Sequence, residues 1–216
     1  KNELAEHQID FNYCKVISRG KLPTSYINVS ESTGSRTIVH YRDCPELDFA
    51  FFSQLDLNTF DWVHFEGRNV AELKQMLSWL KTHYPHLPCS LEIEKPREGI
   101  EQLFSLADVL LFSKPYAISQ GFSSAQCFLQ SLTKENIMTC SWGEAGAWLK
   151  ANDKIIHCPA FPPRQVVDTL AAGDTFNAGI ISGLAQQLSH QETLEYACRL
   201  AGHKCGHDGL TNLTIP

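Results

Sequence analysis

Residues 166–178 have the sequence Val-Val-Asp-Thr-Leu-Ala-Ala-Gly-Asp-Thr-Phe-Asn-Ala. A short β-branched run ends in Asp-Thr, and small or turn-forming residues follow it. Apolar residues then recur with helical spacing at Phe176, Ile180, Leu184 and Leu188. The stretch therefore predicts a strand, a tight loop and a helix in succession.

The loop in this stretch suits a phosphate group. Ala171, Ala172 and Gly173 have little or no side chain, so the N–H groups at the start of the helix stay open to an anion. Asp174 lies in the first turn, where free N–H groups and the helix dipole favour its ionised form. Such a carboxylate can accept the proton of a hydroxyl that is being phosphorylated. An Asp at a helix start is, however, more often only a cap.

Residues 168–178 resemble the C-terminal signature of the ribokinase-type (pfkB) carbohydrate kinase family, Asp-Thr-x-Gly-Ala-Gly-Asp. The resemblance implies that Asp174 is the catalytic base, in contact with the sugar hydroxyl. It also implies that Ala171, Ala172, Gly173 and Asp174 form the anion hole for the transferred phosphoryl group. One position departs from the signature, because Ala171 replaces a glycine and restricts positive φ there.

Length and composition predict a globular chain with one sizeable core. The chain has 216 residues, of which 43% are apolar and 19% charged. The net charge is −6 and the basic residues are scattered, which argues against nucleic acid or an anionic membrane as partner. No apolar run approaches the ~20 residues that span a bilayer, and the N-terminus has no signal-peptide character. We therefore expect a cytoplasmic protein.

The eight cysteines lie far apart, with no Cys-x-x-Cys pair, and most fall within predicted strands or helices. They are typical of reduced, buried packing residues in a cytosolic protein. A cluster near the C-terminus has spacing that matches no standard zinc pattern, and it comprises Cys198, His203, Cys205 and His207.

Three short runs rich in Tyr, Val, Ile and Thr lie near the N-terminus, separated by turn signals, at 11–18, 24–29 and 36–41. They predict a three-stranded antiparallel meander over 11–41, which buries little by itself. The resemblance implies that this segment is a lid over the sugar and a clasp between the subunits of a homodimer. It also implies that Arg36 contacts the nucleotide phosphates, for which a solvated edge-strand cation is the alternative.

Predicted strands and helices alternate from residue 61 onward. The strands are 62–65, 90–94, 109–112 and 136–140, and the helices are 70–81, 100–107, 124–132 and 193–204. This alternation predicts an α/β fold with a mainly parallel sheet covered by helices on both faces. The resemblance implies one ribokinase-like kinase domain over 1–216.

Charged residues follow two of these strands, where open α/β sheets bind ligands. Glu66 comes after the first strand and is a candidate for holding hydrated Mg²⁺ through water, because that ion takes few protein carboxylates. Its alternatives are a partner for Arg68 or a helix cap. Residues 92–97 repeat the arrangement of charge after the next strand.

The resemblance places the nucleotide site in several segments. One is Trp142, Gly143, Glu144, Ala145 and Gly146, where glycines let the backbone turn close to a flat ligand and an indole can line an adenine slot. A plain hairpin loop would use the same residues. The others are Phe161 and Pro162 as a wall, Thr169 in the phosphate loop, and Cys198, Ala201 and Gly202 on the last helix.

The resemblance covers essentially the whole chain, and the chain resembles most strongly those members of the family that phosphorylate fructose. It implies transfer of the ATP γ-phosphoryl group to the 1-hydroxyl of fructose, with Mg²⁺ bridging the phosphates and K⁺ near Asp168 and Thr169. The chain begins with Lys1 and lacks the family's first strands and its sugar-binding segment, so we expect a sequence truncated at its N-terminus.

Two alternatives stay open on the sequence. One is a catalytically inactive fragment that binds nucleotide or a partner subunit. The other is a kinase with another acceptor, such as ribose, a different ketose or a nucleoside, because the residues that select the acceptor lie largely in the missing part.

Overall fold

The computed structural model of the protein describes residues 2–29, 36–133, 135–211 and 213. The chain divides into two compact units, Lys1–Asp56 and Leu57–Pro216. The elements of the smaller unit are α1 (Asn2–Glu6), β1 (Thr24–Val29), β2 (Arg36–Tyr41) and α2 (Phe49–Phe52).

Strands β1 and β2 pair antiparallel, with Tyr26 opposite Val39. Residues 11–18 form turns and irregular backbone, so the predicted three-stranded meander is wrong and the described sheet has two strands. Local hydrogen bonds explain the difference. The Asn12 N–H donates to Oδ1 of Asp10 at 2.9 Å, and the Cys14 N–H donates to the Phe11 carbonyl at 3.1 Å. Such local bonds compete with a strand ladder.

The larger unit alternates strands and helices, as expected. Its elements are β3 (Val63–Glu66), α3 (Val70–His83), β4 (Cys89–Ile93), a 3₁₀ turn (Ile100–Leu103), β5 (Val109–Ser113), α4 (Lys114–Ser119), α5 (Ala125–Ser131), β6 (Ile137–Ser141), a 3₁₀ turn (Gly143–Ala145), β7 (Ala147–Ala151), β8 (Lys154–Cys158), α6 (Ala172–Ala185) and α7 (His190–Cys205).

These strands form one six-stranded sheet in the order β3-β4-β5-β6-β7-β8. The pairs from β3 to β6 are parallel, and the pairs β6–β7 and β7–β8 are antiparallel. A parallel sheet needs crossover connections that place helices on its faces, and its inner strands are buried on both sides. Strand β5 is buried at four of its five positions, which agrees with this.

Alternate residues of β5 pack against different helices. Val109 and Leu111 belong to a buried cluster with Ile180 of α6 and Leu194 of α7. Phe112 points the other way, where its ring centroid lies 5.6 Å from that of Tyr116 in α4 and 4.9 Å from that of Phe128 in α5. Helices therefore cover both faces, and the predicted α/β fold class is confirmed.

Two predicted elements differ from the structure. Val166 and Val167 are not in a strand, because the Val167 N–H donates to the Cys205 carbonyl at the end of α7 at 2.8 Å. The predicted helix over 100–107 is one 3₁₀ turn followed by further turns, held by i→i+3 bonds such as Leu106 N–H to Leu103 carbonyl at 2.9 Å. In the second segment Ile100 and Leu103 are fully buried, so apolar burial holds the turns there. Val166 and Val167 are 59% and 55% exposed, and the main-chain bond to α7 holds them outside any strand.

All eight cysteines are free thiols. Four are buried, as predicted, namely Cys89, Cys140, Cys158 and Cys198, whereas Cys14 and Cys127 are exposed. Burial raises the pKa of the Cys89 thiol to about 11, with the Asp108 carboxylate adding to the shift. The buried thiols therefore remain protonated and serve as packing groups. Within the described ranges, no helix is long and apolar enough to cross a membrane.

Candidate active site

The loop and helix start predicted to bind phosphate form the beginning of α6. Ala171 precedes the helix with a left-handed backbone, φ 58° and ψ 13°. Ala172, Gly173 and Asp174 form the first turn, where N–H groups have no acceptor within a helix. A Cβ atom built on Gly173 would meet no heavy atom within 4 Å, so the space beside this turn is open. This first turn of α6, residues 172–174, can receive an anion and is called the phosphate turn below.

Asp174 is exposed at this turn and lies near two parallel strands. Its negative charge acts on His64 of β3 and on Glu92 of β4 and favours the protonated form of each. Asn177, one helical turn beyond Asp174, donates Nδ2 to Oε1 of Glu92 at 2.9 Å. This bond ties the start of α6 to the carboxyl end of β4. The edge of the sheet where ligands bind in open α/β folds therefore faces the phosphate turn.

Glu92 has an unusual acid–base environment. Burial raises its pKa to about 7, and the charges of Asp174, Glu66 and Glu94 add to the shift, while the hydrogen bond from Asn177 opposes it. Glu66 is the residue paired with Glu92 across β3 and β4. Carboxylates from two strands and one helix therefore converge, and a cation or a proton is needed to offset their repulsion.

His64 stays neutral in the same place. Burial lowers its pKa, and the charges of Glu66 and Asp174 oppose the shift. Its Nδ1 is 2.8 Å from Oγ of Ser90, which also accepts a hydrogen bond from Nε1 of Trp62 at 3.0 Å. His64 therefore contributes a fixed polar wall beside the carboxylates and no positive charge.

The residues present fit Mg²⁺ that arrives with a nucleotide. Glu66 forms an ion pair with Arg68, the alternative expected from the sequence, and its side chain remains 52% exposed. Among the residues that the structure describes, no group of three or more His, Cys, Asp or Glu side chains could hold a metal ion by itself. Mg²⁺ is commonly bound by one or two carboxylates together with phosphates and water, and Glu66 can act in that way.

The segment from Trp142 to Gly146 is a tight turn between the antiparallel strands β6 and β7. Gly146 has φ 88°, and a Cβ atom there would lie 2.0 Å from the Cys158 carbonyl oxygen. His157 on β8 also contacts this turn, with Nε2 2.9 Å from the Ala145 carbonyl oxygen. The turn and the end of β8 are therefore held against each other, which brings Gly146 close to the chain that leads into Phe161.

Phe161 packs on α7. A Cβ atom on Gly202 would lie 2.0 Å from the Phe161 carbonyl oxygen, and the Arg199 guanidinium lies 4.2 Å from the Phe161 ring centre. A cavity of about 470 Å³ opens beside this contact, a volume typical of small-molecule sites. It is lined by Phe161, Pro163, Arg164, Gln165, Val167, Arg199, Gly202, His203, Gly206 and His207.

The remaining residues predicted for the nucleotide lie in different environments. Cys198 is 5% exposed within the apolar core, and Ala201 packs against that core. Pro162 and Thr169 are exposed, and the Thr169 carbonyl accepts the Ala172 N–H at 3.4 Å. Arg36 begins β2, but its side chain lies outside the described residues.

Lys204 is a residue that sequence reasoning missed. Its side chain is fully buried, and Nζ donates to the Asp168 carboxylate, to the Asp168 carbonyl at 3.1 Å and to the His207 carbonyl at 3.4 Å. The pKa of the Asp168 carboxyl is lowered, mainly by this bond. Helical spacing in the sequence could have predicted its burial, because Lys204 lies one turn beyond Leu200 on the buried face of α7.

K⁺ does not fit at Asp168 as the resemblance implied. Lys204 already uses the Asp168 carbonyl and one carboxylate oxygen. The other carboxylate oxygen, Oδ1, accepts the Leu170 N–H at 2.8 Å. A second positive charge beside Nζ would be repelled.

A helix start with free N–H groups, a carboxylate beside it and the carboxyl ends of parallel strands facing it has the geometry that phosphoryl transfer requires. The family described as pfkB family carbohydrate kinase matches residues 1–216, and the chain belongs to this family. It is a sugar kinase of the ribokinase type.

The chain is 39% identical to mouse ketohexokinase over 98% of its own length and 75% of the mouse protein. It is 24% identical to a Klebsiella pneumoniae fructokinase, over 86% of this chain and 66% of that protein. The chain thus spans about two thirds to three quarters of these relatives.

Solved structures show the same fold at low identity. Arabidopsis thaliana ribokinase, complexed with ribose and ATP, matches 93% of this chain and 68% of its own, with 19% identity and a TM-score of 0.73. The Burkholderia thailandensis nucleoside kinase, in complex with inosine, matches 96% of this chain and 69% of its own, with 14% identity and a TM-score of 0.74.

Proposed function

We propose that the protein transfers the γ-phosphoryl group of ATP to the 1-hydroxyl of fructose, giving fructose 1-phosphate and ADP. The observation that carries the proposal is Asp174 in the open first turn of α6, beside the carboxyl ends of β3 and β4. The 39% identity to mouse ketohexokinase supports fructose as the acceptor.

In this reaction the hydroxyl oxygen forms a bond to the γ-phosphorus, and the bond from that phosphorus to the bridging oxygen of ADP breaks. Asp174 takes the proton of the hydroxyl. The N–H groups of Ala172, Gly173 and Asp174 stabilise the charge on the phosphoryl oxygens, with Ala171 shaping the turn. Glu66 would hold Mg²⁺ through water, and the ion would supply positive charge that offsets the charge of the phosphates.

ATP occupies the region bounded by the turn from Trp142 to Gly146 and by Phe161 and Gly202. Three features support this assignment: the close contact of Gly146 with the end of β8, the contact of Gly202 with Phe161, and the adjoining cavity. In this proposal Pro162, Thr169, Cys198 and Ala201 complete the surroundings of the nucleotide, and Arg36 contacts its phosphates.

A homodimer is part of the proposal. Tyr26, Val39 and Tyr41 lie on one face of the β1–β2 hairpin, and these residues are 66%, 59% and 48% exposed. An isolated two-stranded hairpin is at best marginally stable in water. A second copy of the protein that covers this apolar face would make the hairpin a clasp between subunits.

A different acceptor is the second candidate. Kinases bound to ribose and to inosine have the same fold, so the fold alone accommodates furanoses and nucleosides. Coupled ADP-release assays with fructose, ribose, other ketoses and nucleosides separate the candidates. Binding of ATP with no turnover on any of these acceptors would instead support an inactive, nucleotide-binding protein.

The base assignment is tested by Asp174→Asn. We expect this change to lower fructose-dependent turnover by at least about a hundredfold, because general-base catalysis contributes that much and an amide cannot take a proton. ATP affinity, measured by calorimetry, should change little. Asp153→Asn, in the exposed turn between β7 and β8, is the matched control and should keep parental turnover. Turnover of Asp174→Asn within tenfold of the parent would refute the assignment.

A further inference from the structure

Lys204 places its ammonium group in the interior, in contact with Asp168, which leads into the phosphate loop. Its side chain is 1% exposed, at the C-terminal end of α7. An ammonium group has three N–H donors, and three oxygens surround this one: the Asp168 carboxylate, the Asp168 carbonyl and the His207 carbonyl. The ion is therefore fully paired, as a buried charge must be.

The charge is connected to the anion-binding turn through a short path. Asp168 accepts from Lys204 with one carboxylate oxygen and from the Leu170 N–H with the other, at 2.8 Å. The Asp168 N–H and the Val167 N–H both donate to the Cys205 carbonyl, at 3.3 and 2.8 Å. The segment that enters the phosphate loop is thus attached to the end of α7 by both side-chain and main-chain bonds.

We propose that the Lys204 ammonium replaces a bound monovalent cation at this loop, so that phosphate binding at α6 needs no K⁺. This inference rests on the proposed kinase function. Oxygens that a K⁺ ion would use at Asp168 are occupied by Lys204 or by the Leu170 N–H, and like charge excludes a second cation. The covalently attached charge holds the loop in shape and adds positive potential under the incoming phosphates.

A purely mechanical role for Lys204 makes different predictions. If Lys204 only connects α7 to the loop through hydrogen bonds, every Lys204 variant loses that connection and its ATP affinity, and dissolved ions restore neither. If Lys204 instead takes the place of a cation, Lys204→Ala leaves a space of ionic size that is lined by the Asp168 and His207 oxygens. K⁺ or NH₄⁺ could then enter that space, whereas Lys204→Met would fill it with an uncharged chain of similar length.

The experiment measures the affinity of the complete protein for ATP with Mg²⁺ by calorimetry, in KCl or in tetramethylammonium chloride at equal ionic strength. We expect the parent to bind equally in both salts, within about twofold. Lys204→Ala should lose about tenfold or more of its ATP affinity in the tetramethylammonium salt, because the loop loses its hydrogen bonds to a charged group. K⁺ or NH₄⁺ should restore most of that loss, and Lys204→Met should not be restored.

Lys150→Ala is the matched control. Lys150 is also buried, and its Nζ donates to the Leu129 and Leu132 carbonyls at 3.3 and 2.5 Å, at the end of α5. This variant should melt at a lower temperature and show no cation dependence of ATP affinity. Fructose-dependent turnover of the parent is measured in parallel. A parent that binds ATP equally in both salts but does not turn over fructose would refute fructose as the acceptor and would leave this inference standing.

A parent that binds ATP more than about tenfold more weakly without K⁺ would overturn the inference, as would a Lys204→Ala variant that K⁺ and NH₄⁺ fail to restore. Thermal melts establish that each variant is folded. If Lys204→Ala does not fold, the cation response of the parent decides the question alone.

Discussion

Ala171 shows how one residue adapts a family signature. The signature has glycine at this position, and the structure keeps the left-handed conformation with alanine, at φ 58°. A left-handed backbone is unfavourable for a residue with a Cβ atom, by about 1 kcal/mol or more. The surrounding bonds retain it, since the Thr175 N–H and hydroxyl both donate to the Ala171 carbonyl, at 2.9 and 2.8 Å.

Ala171→Gly should therefore stabilise the protein by about 1 kcal/mol, because glycine adopts this backbone without steric penalty. Urea denaturation measures the change. Turnover should stay within about threefold, since the first-turn N–H groups are retained. A lower stability of Ala171→Gly would mean that the added freedom of glycine in the unfolded chain outweighs the relief of strain.

Glu92 makes stability depend on pH. Its pKa is raised from 4.5 to about 7 in the folded protein, so the folded state holds this proton more tightly than the unfolded state. The resulting stabilisation is complete below about pH 4.5 and is lost as the pH rises to about 7.

Glu92→Gln should accordingly be more stable than the parent at pH 8, by about 1–2 kcal/mol, and the difference should shrink toward pH 5. Glutamine keeps the Oε1 acceptor for Asn177 and cannot ionise. Denaturant melts across this pH range measure the effect, with Glu98→Gln, an exposed carboxylate, as control. A stability difference independent of pH would show that Glu92 titrates normally.

At the scale of elements, the two C-terminal helices shape the site through close packing. A Cβ atom on Gly179 of α6 would lie 2.6 Å from the Cα atom of Ala197, so α6 and α7 approach closely. Gly202 allows the same closeness between α7 and Phe161. These two contacts place the phosphate turn, the end of α7 and the Phe161 segment beside one another.

Gly202→Ala should destabilise the protein by about 1–3 kcal/mol and weaken ATP binding, because the new methyl group displaces Phe161 from α7. The matched control is Gly183→Ala on α6, where a Cβ atom would lie 2.9 Å from Cγ2 of Thr193, away from Phe161. We expect it to lose similar stability and keep its ATP affinity. Unchanged ATP affinity in Gly202→Ala would place the nucleotide elsewhere. Thermal melts and calorimetry give both quantities.

At the scale of the whole molecule, the β1–β2 hairpin of the smaller unit carries an exposed apolar face. One face shows Tyr26, Val39 and Tyr41, and apolar side chains exposed side by side in this way are typical of interaction surfaces. The hairpin belongs to the smaller unit, whereas the phosphate turn and the carboxylate cluster belong to the larger one. Assembly and chemistry can therefore be tested by separate variants.

The double variant Tyr26→Lys, Val39→Lys should convert a dimer of the complete protein to monomers, because two buried like charges would oppose association across the hairpin. Light scattering measures the mass. Ser25→Lys, on the opposite face of β1, is the control and should remain dimeric. A dimer that survives the double change would exclude this face from the interface.

Local pattern was sufficient for the fold class and for the phosphate turn. The periodicity of apolar residues in strands and helices predicted a parallel sheet covered on both faces. The small residues between Asp168 and Asp174 predicted an open helix start. Both signals come from residues that are neighbours in the sequence. Local pattern was insufficient at 11–18, where nearby hydrogen bonds formed turns, and at Val166 and Val167, which pair with α7.

Contacts between distant residues were settled by tertiary packing alone. Asn177 meets Glu92 across 85 positions, and Lys204 meets Asp168 across 36. Both contacts depend on strand register and on how helices pack, which no local period encodes. The same packing raises the pKa of Glu92 and buries the charge of Lys204, because burial is a property of the assembled fold.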